Sequence, residues 1–581
     1  AAAEASFKRA IELDPKSVAA RLALGNFYQQ QQNWKGAEEQ FLHAAELEPE
    51  NHLPVAALAR LYLGQNQPEK AEQLLRETKG RFANNPEGYR LLGDFLFAVG
   101  KTERALDEFL SLHEEHPKDL VVKKNLIQLL ILQNQLNKAA ELNDEILKEN
   151  SRDPEALIFR GQILIRQARY DDAIQVLNAA IKSDTNNSVA RYHLGVAFSQ
   201  MGNLARAESE WREAVRINPR MSGALQALAS VGMRKGDMEL VLSSGEGLIA
   251  AEPYSPNGYI LRGLARLARR EFSMAEADFR TAQRLAPDSP VPYTRMGGMR
   301  LLERRFAEAE RFYETALEKD PAHPEALRGL VAVFAQQKRL DRALQRVERQ
   351  IALAPDSSQH RLLYGRLLSA NGQNDRAREE LERAVALDKN NVEAFITLGS
   401  LLASQGSVDQ AVATYERAIQ ENPRDVRSYI LLASLEDEVR GNWKRAQELY
   451  EKALQVEPDY PVAANNLAYL MLKHGGDLDV ALSLAQVARR KLPELPNVAD
   501  TLALAYYRKG AYGLAIDLLK EALEKAPENP TYHLHIGLAY QKSSDLARAK
   551  QHLERTLALA PNHPSAAEAR EALAQLAGSS D

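Results

Sequence analysis

The sequence holds no cysteine among its 581 residues, which excludes disulfides, thiolate chemistry and cysteine-based zinc sites. Tryptophan is scarce, at 3 residues, and aromatics together make up 7%, so most packing falls to Ala and Leu, residues that favour helices. No apolar run approaches the ~20 residues of a membrane-spanning helix, and the first residues carry no charged segment followed by an apolar one. A basic excess is missing too: 74 Lys plus Arg stand against 79 Asp plus Glu, a formal charge of -5, with no long basic run to give a nucleic-acid footprint. Signatures of catalysis are equally absent. There is no P-loop, no Rossmann glycine fingerprint after a strand, no Gly-x-Ser-x-Gly elbow and no His-Glu-x-x-His.

What the chain does have is one unit, repeated. Between Ser188 and Met221 the sequence SVARYHLGVAFSQMGNLARAESEWREAVRINPRM reads as two amphipathic helices broken at Gly202-Asn203 and stopped at Pro219. Small residues (Gly195, Ala207, Ala214) alternate at helical spacing with large ones (Leu194, Phe198, Trp211), as two closely approaching antiparallel helices require. Steps of 34 residues place further copies at Val18, His52, Pro86, Leu120, Pro154, Ser222, Pro256, Pro290, Pro324, Ser358, Val392 and Val426. One extra residue near Arg440-Gly441 and another near Gly475-Gly476 shift the last starts to Pro461, Pro496 and Pro530, giving sixteen full units.

The columns of this register carry physical meaning. Allowing for the extra residues, the twentieth position is Ala in every unit except the one with Val241. The eighth is Gly or Ala except at Ile127 and Val331, and Pro at the thirty-second position, as in Pro49, Pro117 and Pro561, stops the second helix. A 34-residue period of paired helices resembles the tetratricopeptide repeat family over nearly the whole chain. That resemblance implies an all-α fold, a right-handed α-solenoid with a concave groove lined by each unit's first helix. It further implies binding of extended peptides or partner proteins, with no catalysis and no cofactor.

The expected organisation follows. Residues 1–17 read as the second helix of a truncated repeat, so the chain is expected to begin inside a longer protein. An N-terminal arm occupies 18–221 and a C-terminal arm 256–563, and 564–581 form a cap helix with a polar tail. Residues 222–255 depart most from the pattern, with Gly232, Val241 and Gly245 in columns that call for other residues and a weak run Ser243–Gly247. Because Gly costs ~1 kcal/mol relative to Ala inside a helix, this unit is a candidate hinge.

Candidate sites come from the groove columns and from misplaced charges. In the middle of the chain the groove positions are apolar but for the first: Asn257, Ile260, Leu264 and Leu267, then Val291, Leu301 and Leu302. A second apolar set, Tyr469, Leu504, Tyr507, Leu534 and Leu538, lies in the last three units, interrupted by Asn465 and Asn497. Both sets are read as partner-binding groove. Arg160 and Arg262 occupy a column normally Leu, and Arg266 and Arg300 one normally aromatic; buried guanidinium groups need partners, and Asp278, Glu276 and Glu310 are the expected ones. His113 and His116, three apart before Pro117, read as solvated surface, and no metal site is expected. His533 and His535 face opposite sides of their helix. Charges on the outer faces show no organised stripe, since Glu382 meets Ala386 and Glu416 meets Gln420 at i,i+4.

The family's carboxylate clamp is not matched: Lys124 fills one of its places, but Gln128 and Phe159 stand where asparagines belong, and Asn26 and Asn466 fit single places. The C-terminal stretch NNLAYLMLKHGGDLDVALSLAQVARRKLPELPNVADTLALAYY resembles bacterial envelope repeat proteins of exopolysaccharide and exosortase systems, although Asp500-Thr501-Leu502-Ala503 replaces the Gly and Trp many of them carry. It implies a scaffold holding one or several protein partners, on the periplasmic side of the envelope rather than in the cytoplasm, with no nucleic acid. The alternative is a substrate-recruiting arm of an enzyme such as a protein glycosyltransferase; the asparagine ladder that family carries is missing, with Asn26, Asn257, Asn465 and Asn497 scattered.

Overall fold

The computed structural model describes residues 2–562 and 564–578. Among them the chain is all α-helical apart from short turns and one 3-10 turn at Lys79–Phe82. First helices begin at the residues the register marks, from Val18, His52 and Pro86 through to Pro461, Pro496 and Pro530. Local chemistry sets these starts. Asn51, Asn85, Asp119, Asp153, Asn187 and Asp425 each precede a first helix and accept a hydrogen bond from a backbone amide two or three residues on. Proline at the first helical position, as at Pro86 and Pro154, loses nothing there because its missing amide would have had no partner.

The turn inside each hairpin needs one residue with positive φ. Gly202 supplies it at 79°, whereas Gln32, Asn66, Ala168 and Arg304 adopt 58–59° without glycine's freedom. Across the hairpin the eighth position meets the bulky residue of the second helix. A Cβ at Gly195 would stand 2.4 Å from Trp211 Nε1, so glycine is what admits the indole and lets it donate to the Tyr192 carbonyl at 3.1 Å. The column's two exceptions are compensated in volume. Ile127, fully buried, faces the small Asn143, whose Nδ2 donates to the Ala156 carbonyl at 3.0 Å, and Val331 shares its unit with Val347 rather than an aromatic.

The helices divide into two compact units, Ala1–Pro287 and Asp288–Asp581, each an α-solenoid of stacked hairpins. The division falls beyond the 222–255 segment singled out in the sequence. In that segment the glycines serve close approach. A Cβ at Gly245 would lie 2.8 Å from the backbone nitrogen of Arg262 and 3.0 Å from the Gly258 carbonyl, so the Met238–Ala251 and Pro256–Ala268 helices meet backbone to backbone. At the far end of the second unit, Ala569, Ala572 and Leu576 of the Pro564–Gly578 helix close the last core layer, as a cap helix should; the polar tail expected after it, 579–581, lies outside the described residues.

Charge on the outer faces is more ordered than the i,i+4 reading expects. Carboxylates pair with cations roughly one repeat away: Glu38 with Lys70 at 2.9 Å, Glu72 with Lys101 at 2.9 Å and also with Arg104, Glu314 with Arg346 at 2.6 Å, and Glu494 with Lys525 at 2.7 Å. Glu416, which has no cation four residues on, pairs with Arg445 of the next unit, and Glu382 meets Arg378 behind it at 3.8 Å. The repeat period brings these residues together, so a search along one helix misses them. Glu72 is buried among its cations, whereas the exposed pairs, such as Glu494 with Lys525, contribute ~0–1 kcal/mol each.

Candidate partner-binding surfaces

Three successive first helices, Pro461–His474, Pro496–Arg508 and Pro530–Lys542, line a cavity of about 270 Å³ in the second unit. Four residues read from the sequence as groove converge on it: Tyr469, Leu504, Tyr507 and Leu538. Leu534 does not. It is 2% exposed and packs into the core beside Ile536 and Leu553, because the cap helix covers that side of its own helix. The place by the cavity goes instead to its neighbour His535, whose Nδ1 lies 2.6 Å from Asp500.

Electrostatics single this cavity out. Burial disfavours a charge on His535, but the attraction and hydrogen bond of Asp500 exceed that penalty and hold its pKa above the usual histidine range. Tyr469 and Tyr507 are pushed up by burial, with nearby acidic groups adding to the effect on Tyr469. Lys473 and Arg508 stand at the rim, and neither forms an ion pair within 4 Å among the described residues. Tyr469 and Lys473 also border a second, polar cavity of about 440 Å³, where Asn465, Asn466, Asn497 and Asn529 come together. Of the asparagines scattered along the chain, Asn465 and Asn497 are thus gathered here, while Asn26 and Asn257 lie in the first unit. His533 turns away from His535 and approaches His552, Nδ1 to Nδ1, at 2.9 Å.

The central residues behave differently. Asn257 is exposed, and Ile260, Leu264 and Leu267 are half-buried on the Pro256–Ala268 helix of the first unit; Val291, Leu301 and Leu302 belong to the second. Leu302 is 65% exposed, while Leu301 packs partly against the core and is groove only in part. The arginines are mostly structural. Arg262 and Arg266 converge on Asp278, which is 3% exposed, at 2.7 and 2.9 Å. Arg300, itself buried, meets Glu303 at 2.6 Å and Glu308 at 3.3 Å. Arg160 is a correction: its side chain is 45% exposed and reaches Asp144 at 2.6 Å along the surface, its aliphatic stem covering the distance. His116 is another, since its ring stacks on Tyr89 at 3.9 Å instead of standing in solvent.

A further surface escaped the sequence reading. In the first unit the His52–Gly64 and Pro86–Ala98 helices flank an open trough of about 460 Å³, with Ala56, Ala59, Leu63, Leu91 and Phe95 beneath and Leu53, 50% exposed, at its edge. Leu53, Ala56, Arg60 and Leu63 occupy the same columns that pointed to the C-terminal cavity, so the signal was present in the pattern.

Farther along the same unit, burial pushes His193 down to about 4, its Nε2 2.9 Å from Gln162 Nε2. With an unfolded value of about 6.5, the unfolded chain takes up a proton that the folded chain refuses, so His193 favours folding above pH ~6.5 and ceases to as pH falls toward 4. Hydrogen exchange across the Ser188–Gln200 helix is therefore expected to quicken between pH 7 and 4.5, after correction for intrinsic rates, and a His193→Gln chain should lose that dependence.

Models of the tetratricopeptide repeat match residues 1–49, 39–94, 96–163, 164–231 and 300–367, and a second such model matches 362–426 and 432–496. A TPR repeat model matches 503–544. Among individual proteins, the inactive TPR repeat-containing thioredoxin TTL3 of Arabidopsis thaliana is 34% identical over 91 residues, 16% of this chain and 13% of its own length. BBSome complex member BBS4 of Bos taurus is 24% identical over 192 residues, 33% of this chain and 37% of its own. Cellulose synthase operon protein C of Pseudomonas fluorescens (strain SBW25) is 22% identical over 214 residues, 35% of this chain and 17% of its own. The chain thus spans between 13% and 37% of the length of these relatives.

Proposed function

Since the chain belongs to the tetratricopeptide repeat family, we propose that it is a non-catalytic scaffold whose C-terminal cavity holds a segment of a partner protein. One observation carries the reading: Tyr469, Leu504, Tyr507 and Leu538, from three helices, meet around one cavity that Glu568 of the Pro564–Gly578 helix also lines, and its two cations, Lys473 and Arg508, form no ion pair within 4 Å among the described residues. Apolar side chains of a partner would fill such a space while a carboxylate of the same segment met the cations. The partners we favour belong to an envelope assembly that builds exopolysaccharide or sorts proteins. The similarity to cellulose synthase operon protein C and the Asn465–Ala468 stretch support that choice.

The test is quantitative capture with three chains: unaltered, Tyr469→Ala/Tyr507→Ala, and Leu53→Asn as a control far along the sequence. Partners held by the cavity are expected to fall at least tenfold with the double variant and to stay with the control. Retention of every captured partner by a double variant whose helices keep the parent's hydrogen-exchange protection would discard the cavity as the site.

A further inference from the structure

We propose that the trough between the His52–Gly64 and Pro86–Ala98 helices docks a basic amphipathic helix of a partner protein, seated by its apolar face with a lysine or arginine directed at Asp94. This inference concerns a different surface from the C-terminal cavity and does not rest on the reading given for it.

Shape is the first argument. From Leu53 to Leu63 one face of the first wall runs for eleven residues, or ~16 Å, about three turns of helix. The floor is made of small and apolar side chains, Ala56, Ala59 and Leu91 among them, and the space of about 460 Å³ lies within the ~300–1,000 Å³ common for binding pockets. A furrow between two side-by-side helices, open along its length, suits a third helix presenting anchors at i, i+3, i+4 and i+7.

Charge selects the occupant. Asp94 is reachable by solvent, yet enough protein surrounds it that desolvation holds its carboxyl above the ordinary value, with Arg90 opposing only in part. No cation lies within 4 Å of it among the described residues, and its carboxylate is fixed by Asn125 Nδ2 at 3.1 Å. Arg90 does not neutralise it, because its Nη1 sits on Asp119 at 2.9 Å. Glu87, at the start of the same helix, adds a second carboxylate that meets only the His52 ring, at 3.0 Å. Arg60 is the one cation facing the trough without a counter-charge within 4 Å among the described residues, and its long exposed stem can turn to solvent. Glu87 is itself 71% exposed and can turn away as Arg60 can; the charge that stays in place is Asp94, held by Asn125, and a basic side chain of the partner satisfies it.

The experiment titrates fluorescein-labelled synthetic helices, one of Leu and Lys and one of Leu and Glu with the same apolar stripe, against the full chain by anisotropy. The Lys helix is expected to bind more tightly than the Glu helix. Leu53→Asn should weaken it tenfold or more, and Asp94→Asn about fivefold, the scale of one exposed ion pair. Tyr469→Ala/Tyr507→Ala should leave it unchanged. Because Leu53 and Asp94 are solvent-accessible, their variants are expected to melt like the parent. Equal or tighter binding of the Glu helix would overturn the proposal, as would an unaltered affinity in Leu53→Asn and Asp94→Asn. So would equal weakening by the tyrosine variant, or self-association of the chain that Leu53→Asn abolishes, since a second copy would then cover the trough.

Discussion

Replacing Asp278 with alanine is expected to lower amide protection in the Pro256–Ala268 and Phe272–Leu285 helices by about 30- to 150-fold, the equivalent of ~2–3 kcal/mol at 1.4 kcal/mol per decade. The carboxylate is almost wholly enclosed, 4% exposed as a side chain, and two guanidinium groups depend on it. Arg262 bonds it through both Nε and Nη2, and Arg266 adds Nη1. The hydrogen bond to Asp278 is also what raises the pKa of Arg262, against a desolvation that would lower it. Removing one partner of a fully buried pair typically costs ~3–5 kcal/mol; here the guanidinium groups keep about a fifth of their surface in water and recover part of their hydration, which brings the cost down to or below the low end of that range. Asp278→Asn keeps the shape and an acceptor oxygen and should lose less. A stack of repeats need not unfold in one step, so the local readout of hydrogen exchange is preferred to a single melting temperature. Protection unchanged in Asp278→Ala would mean that the carboxylate is dispensable to this layer.

Much of this architecture was legible because each repeat restates it. Helix starts at His52 or Pro86 follow from a capping residue and a fixed period, and both are local. What lay beyond reach depends on neighbours. Leu534 and Leu538 occupy groove columns of one helix, yet the cap helix buries the first and leaves the second by the cavity. Ile127 looked like a break in the glycine column until Asn143 appeared opposite it, an exchange of volume between two helices that neither column shows alone. The pairing of Glu416 with Arg445 is invisible to a search along one helix, because the contact runs between units. The N-terminal trough is the instructive failure. Its columns hold Leu53, Ala56 and Leu63 beside Arg60, and only the side-by-side placement of the His52–Gly64 and Pro86–Ala98 helices distinguishes the trough from residues packed singly between helices.

Gly245→Ala separates two accounts of the 222–255 segment. Within a helix, Ala is favoured over Gly by ~1 kcal/mol, so a glycine retained for flexibility should yield a stiffer, better protected unit when replaced. The geometry points the other way. The new Cβ would stand 2.8 Å from the Arg262 backbone nitrogen and 3.0 Å from the Gly258 carbonyl, and neither atom can rotate aside as a side chain would. Forcing the Met238–Ala251 and Pro256–Ala268 helices apart also disturbs buried Val241 and Ser244. Overpacking of this kind costs ~1–3 kcal/mol, enough to exceed the propensity gain. Gly247 supplies the control, because its Cβ would meet only the Leu225 side chain, at 2.8 Å from Cδ2, which a rotamer change relieves. Hydrogen exchange should therefore show Gly245→Ala losing protection in both helices by roughly tenfold, with Gly247→Ala equal to or better protected than the parent. A gain in both variants would instead identify the glycines as a soft joint, with the close approach of the two helices incidental to it.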